Sequence, residues 1–189
     1  MSVPPHDRIL EAATRLFLRE GIRAVGMTRI AAEAGVAPMT IYRRFGGKDR
    51  LVAAMVEDRS KRSLRWLADR IERCGEDPEA GLQRLWDVLE EWLAAEELPG
   101  SLVTSVATEL RGRLCHPAHA AVEAHRAALR RLLEELAIRA GAVDPPRLAG
   151  QLQFLVESTV AAAVVDGWPA RAESVRALAD AALLADSPR

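Results

Sequence analysis

Residues 35–51 read GVAPMTIYRRFGGKDRL. The stretch spells a turn at Gly35, a two-turn helix over Pro38–Phe45, a Gly46-Gly47 break and the start of another helix at Lys48. Pro38 suits a first helical position, because its missing N–H would have no intrahelical partner there. On a 3.6-residue wheel Ile41 and Phe45 share one side with Pro38 near it, and these are expected to pack inward. Met39, Thr40 and Arg43 fall opposite, with Tyr42 and Arg44 on the flanks. A helix that hides one side and offers donors and cations on the other suits DNA.

Upstream, Asp7–Glu20 places Ile9, Ala13, Leu16 and Phe17 on one stripe, and Gly21 is a natural stop. The short connection IRAVG leads to a second helix near MTRIAAEAG. Gly26 or Thr28 is its candidate cap, and Ile30, Ala31 and Ala34 form its inner edge. Small Ala31 lets the second and third helices approach, and Gly35 permits the turn between them. This is a helix-turn-helix pattern, although plain packing of two helices produces the same spacing.

Downstream, a long helix is expected from Lys48 to about Arg73, with Leu51, Met55, Leu64, Leu67 and Ile71 on its apolar side. Further helices are expected near residues 79–95, up to Arg111, from His116 to about Ala140, from Pro146 to Val165, and from Arg171 to Leu184. No strand pattern or internal repeat is visible. The expected architecture is all-α with about nine helices, three in an N-terminal unit over residues 1–50 and six in a bundle over residues 51–189.

Composition agrees with helices: Ala and Leu dominate and aromatics are only 4%. The net charge of −1 hides an asymmetry, since residues 1–50 carry nine Lys+Arg against five Asp+Glu and residues 51–189 carry seventeen against twenty-two. A basic end on an acidic remainder points to one part that meets a polyanion and one that does not. Cys74 and Cys115 have no CxxC spacing, which fits a reducing compartment. MSVPPHDR lacks a signal-peptide core, and the apolar run from Leu152 to Val165 is short and holds Glu157, so no membrane span is expected. The sequence therefore reads as soluble and cytoplasmic.

Residues 8–52 resemble the DNA-binding region of the tetracycline-repressor (TetR) family of bacterial regulators. The resemblance rests on Ala13 and Phe17, Ile30-Ala31, Gly35-Val36, Thr40-Ile41-Tyr42, Phe45, and Lys48 followed by Leu51. It implies a helix-turn-helix domain followed by a six-helix ligand-binding and dimerisation domain. Gly26, Ala37 and Gly47 depart from the family's usual polar residues at those positions.

By geometry and by this resemblance, Pro38–Phe45 is the recognition helix. Arg43 is the candidate base reader, since a guanidinium donates twice to guanine. Met39 and Thr40 are placed to touch thymine methyls, and Tyr42, Arg44, Lys48, Thr28 and Arg29 to hold phosphates. Two-fold symmetry is expected, giving a homodimer on a palindromic double-stranded operator, with Leu152, Leu155, Thr159, Ala163, Val175, Leu178 and Ala182 on the last two helices as the interface. Burial of those stripes within one chain is the alternative.

The resemblance also implies a small-molecule effector coupled to DNA affinity through the long helix. Candidate ligand contacts are His125, Glu157 and Glu109, polar groups set in apolar stripes, with Trp66, Trp86 and Phe154; Trp92 was a further aromatic candidate. His116, His119 and His125 lack a completing carboxylate or cysteine at matching spacing, so no metal is expected, and no cofactor motif appears. An all-helical enzyme and a ligand-independent DNA-binding protein are the competing classes; neither a phosphate loop nor a nucleophile with a base supports the first.

Overall fold

The computed structural model describes residues 4–73, 84, 87, 88, 91, 101–166 and 172–185. Eight helices are traced among the described residues: α1 Pro5–Glu20, α2 Met27–Ala34, α3 Pro38–Phe45, α4 Lys48–Glu72, α5 Ser101–Glu109, α6 Ala118–Arg139, α7 Pro145–Asp166 and α8 Ala172–Ala185. No strand occurs among them. The helix expected near residues 79–95 lies mostly outside the described residues, where 84, 87, 88 and 91 are helical.

Local sequence explains the helix ends. Pro5 and Pro38 open α1 and α3 at positions whose N–H would be unpaired anyway. Asp144 caps α7, its carboxylate accepting from the Arg147 N–H at 3.2 Å, with Pro145 as first helical residue. At the end of α2, Gly35 adopts left-handed φ 62° and ψ 42°. There the Val36 N–H reaches the Ala31 carbonyl at 3.0 Å and the Gly35 N–H reaches Ala32 at 3.2 Å, the paired bonds of a Schellman turn. The caps of α2 and α3 are Gly26 and Ala37, and neither provides a side-chain hydrogen bond.

The chain packs as two compact units. The first comprises Met1–Lys61 with Leu102–His125, and the second Arg62–Ser101 with Arg126–Arg189. This division by packing differs from the 50/51 division read from sequence, because α5 and the start of α6 bury Leu102, Val106, Leu110 and Val122 in the same core as α1 to α3. That core also holds Ile9, Leu16, Phe17, Ile30, Ile41, Phe45, Leu51 and Met55. The second unit has its own core, with Leu67 and Ile71 of α4, Leu129, Leu133 and Leu136 of α6, and Leu148, Leu152 and Val156 of α7.

Two expectations are corrected here. Pro38 is exposed rather than inward, since it sits at the mouth of α3 where the chain has only just left the turn. Leu152, Thr159 and Ala163 are buried within their own unit, so they are intrachain core and not a surface for a second chain.

The two glycines flanking α2 act in opposite senses. Gly26→Ser adds the missing cap at an extended φ of −88° and should stabilise by about 0.3 kcal/mol. Gly35→Ala forces a Cβ into left-handed backbone and should destabilise by about 1 kcal/mol. Urea unfolding checks both; a neutral Gly35→Ala would contradict the strained-turn reading.

Candidate nucleic-acid interface

Helix α3 holds itself down by Ile41, fully buried, and Phe45, 7% exposed. Phe45 also stacks on His6 of α1 with ring centroids 5.3 Å apart. Each buried side chain of this size contributes roughly 2–3 kcal/mol of apolar burial. The opposite side is open: Met39 is 72% and Tyr42 47% exposed, with Arg43 and Arg44 exposed in the last turn and Thr40 half-buried. Among the described residues no hydrogen bond or ion pair engages Arg43 or Arg44. Two free guanidiniums beside an exposed Tyr and Met are what base edges and phosphates require.

The residues on the α2 side behave differently from one another. Thr28 is exposed in the first turn of α2. Arg29 forks onto Glu20, its Nη2 donating to Oε1 at 2.9 Å and its Nη1 to Oε2. Arg19 donates to the same carboxylate at 2.8 Å. The Arg19 hydrogen bond, with the Arg29 charge, holds the Glu20 carboxyl below the usual carboxylate value. Arg29 is therefore oriented by Glu20 before any phosphate approaches.

Lys48 opens α4. Its ammonium donates to the Arg23 carbonyl at 3.4 Å and lies 5.9 Å from the centre of the Phe17 ring. Burial lowers its pKa, opposed by the nearby Glu109 and Asp49 carboxylates.

These groups are gripped from α5 and the loop after it, within the same unit. The Glu109 carboxylate accepts from two successive backbone N–H groups, Ile22 at 2.9 Å and Arg23 at 2.9 Å. It thus fixes the connection between α1 and α2. Asp49, in the first turn of α4, accepts from Arg113 at 2.7 Å and meets the ring of His116 at 3.2 Å. His116 is fully buried at its side chain, and its Nδ1 accepts from the Ala118 N–H at 3.1 Å. The proton of the neutral ring must then sit on Nε2, facing Asp49. Burial pushes the His116 imidazole below its ordinary value, against the pull of Asp49. Burial also disfavours the Asp49 anion, but the Arg113 hydrogen bond and the His116 neighbour outweigh it and hold that carboxyl low.

Asp49 and Arg113 did not stand out in the sequence, and His116 did so only through its spacing to His119 and His125, because no local pattern links positions so far apart. His119 is likewise occupied, its Nε2 lying 3.0 Å from the Arg113 carbonyl.

The expected effector contacts are divided between the two units. Glu109 and His125 belong to the first unit; His125 is buried, with its Nδ1 2.9 Å from the Ser60 hydroxyl. Trp66, Phe154 and Glu157 belong to the second. Trp66 is half-buried under the Arg70 guanidinium at 5.1 Å, and Glu157 takes a forked pair of bonds from Arg126 at 3.0 and 3.1 Å. Phe154 is 70% exposed. Trp86, Trp92 and Cys74 lie outside the described residues.

The profile described as bacterial regulatory proteins of the tetR family matches residues 9–55, which are α1, α2, α3 and the start of α4. A TetR-family transcriptional regulator of Streptomyces coelicolor superposes with a TM-score of 0.84 at 25% identity, covering 97% of this chain and 96% of that one. Residues 9–55 thus resemble the DNA-binding part of tetR-family regulators, and the chain shares its fold with a solved member of that family. A second tetR-type structure, from Streptomyces avermitilis, gives a TM-score of 0.74 at 27% identity over 95% of this chain and 98% of that one. Among curated relatives, the chain is 31% identical to the Bacillus subtilis HTH-type transcriptional regulator LmrA over 121 residues, 60% of this chain and 64% of LmrA. It is 35% identical to the HTH-type transcriptional repressor DrrR1 of Streptomyces coeruleorubidus over 72 residues, 38% of this chain and 22% of DrrR1. The chain thus spans under two thirds of the length of the curated relatives it matches first.

The Asp49–His116 pair gives this unit a defined acid response. Both groups have pKa values lowered by folding, so the folded chain binds fewer protons than the unfolded one and stability falls as pH falls. The His116 share is present above its ordinary value of 6.5 and is lost on acidification below it. His116→Asn keeps an acceptor and a donor without titrating, so its stability should stay flat between about pH 7 and 5, where the unchanged chain weakens. Parallel denaturation curves for the two would contradict the neutral, buried His116.

Proposed function

We propose that the protein is a sequence-specific DNA-binding transcriptional regulator, working as a ligand-responsive homodimeric repressor in the cytoplasm. The observation that carries this is the two-sidedness of α3, with Ile41 and Phe45 buried and Met39, Tyr42, Arg43 and Arg44 presented outward. An exposed row of that kind has no use in a folded monomer and fits the major groove. Arg43 reads base edges, Met39 and Thr40 meet thymine methyls, and Tyr42, Arg44, Lys48, Thr28 and Arg29 hold phosphates, with Pro38 setting the start of the helix. The names of the curated relatives support a regulator over an enzyme, and one of them is called a repressor.

A single two-turn helix reads too few bases for useful specificity, so a second copy is required. Exposed residues on the last two helices support this. On α7 Phe154 and Ser158 are exposed with Ala161 and Ala162 half-buried; on α8 Ser174, Leu178, Ala181 and Ala185 are exposed. Small and apolar residues at helical spacing suit close packing against a second chain, on a palindromic operator. No helix of the described residues is long and apolar enough to cross a membrane.

Phe154→Glu should convert the dimer to a monomer in sedimentation velocity at micromolar concentration; an unchanged dimer would show that another face is used. Selection of bound sequences from random DNA supplies the operator. On it Arg43→Ala should cost about 1–3 kcal/mol while changing random-DNA affinity little. Equal losses on both DNAs would remove Arg43 from base reading.

A further inference from the structure

The second unit contains a cavity of about 400 Å³ at the C-terminal end of α4, lined by Arg70, Arg73, Arg84, Asp87, Val88 and Glu91. Among the described residues its lining carries three guanidiniums against two carboxylates, and both of these carboxylates are already engaged. Glu91 takes the Arg70 guanidinium at 2.8 Å, and Asp87 takes Arg176 of α8 at 2.5 Å. The guanidiniums of Arg73 and Arg84 have no hydrogen bond or ion pair among the described residues. Val88, 6% exposed, gives the cavity an apolar wall, and Arg70 lies against the face of Trp66.

A cation that merely solvates a helix surface needs no cavity. Two unpaired guanidiniums facing one concave space, with the neighbouring acids neutralised by other arginines, leave that space positive. We propose that this cavity binds a small organic oxyanion, with its carboxylate or phosphoryl oxygens held between Arg73 and Arg84 and its apolar part against Val88. The planar guanidinium matches either oxyanion through two parallel N–H donors. Arg70, held by Glu91 and Trp66, keeps the Glu91 carboxylate from opposing a bound anion. The Asp87–Arg176 pair ties α8 to the cavity edge, so occupancy bears directly on the helix that carries Leu178. Among the described residues, none of the side chains singled out in the sequence for an effector lines this space, and its cationic lining is arginine.

The inference gives the effector reading above its ligand chemistry, and its test needs no DNA, so a failure here leaves the DNA-binding reading standing. Isothermal titration calorimetry of the full chain is run with benzoate and, separately, with inorganic phosphate, at one fixed ionic strength. At least one probe should bind saturably, benzoate if the site takes carboxylates and phosphate if it takes phosphoryl groups. Both substituted arginines are exposed, so Arg73→Gln with Arg84→Gln should leave the thermal midpoint unchanged and weaken binding on the order of tenfold or more. Trp66→Phe, which keeps Val88 and the two free arginines, should retain binding. Absence of saturable binding for both probes, or equal affinity in the doubly substituted chain, would overturn the proposal.

Discussion

An eight-residue helix is not stable by itself in water, because nucleation costs more than two turns return. α3 therefore exists only through what Ile41 and Phe45 bury, and everything its outer face can do depends on that burial. Ile41 belongs to the core to which α1, α2 and α4 also contribute, and Phe45 is further stacked on by His6. The same two residues fix the rotation of the helix about its axis, which sets Arg43 outward and Tyr42 and Arg44 on the flanks. Specificity begins as a packing problem.

The second constraint is polar and comes from outside the first fifty residues. Glu109 satisfies two backbone donors in the α1–α2 connection, and Arg113 and His116 hold Asp49 at the start of α4. Losing a buried or half-buried partner of such groups costs more than the bond itself contributes, since the remaining donors are left dry. The grip thus locks the residues that bracket α3 on both sides. It also explains why α5 and the start of α6 share a core with α1 to α3 instead of with the rest of the chain.

Much of this was legible in the sequence, for reasons that can be named. The bounds of α3 follow from Pro38 and Gly46, and its inward face from the four-residue spacing of Ile41 and Phe45. The ends of α1 and α2 are announced by Gly21 and Gly35. What could not be read is whatever depends on distance along the chain. Glu109 lies 86 and 87 residues from the amides it holds, so it looked like a stray charge suited to a ligand. Arg29 reads as a free cation in the sequence, and only the fold brings Glu20 against it. On α7 the apolar residues run all round the helix, so periodicity did not say that Phe154 faces out while Leu152 and Val156 face in. A wheel gives an angle but not a depth, and Pro38 is the example.

The central claim is that two copies of α3 enter successive major grooves of one operator. Hydroxyl-radical footprinting of the full chain on its selected operator tests this most directly. Two protected patches on one face of the duplex, centred about one helical turn or roughly 34 Å apart and related by the operator dyad, are the predicted result. A single protected patch, or uniform protection spreading with concentration, would contradict it.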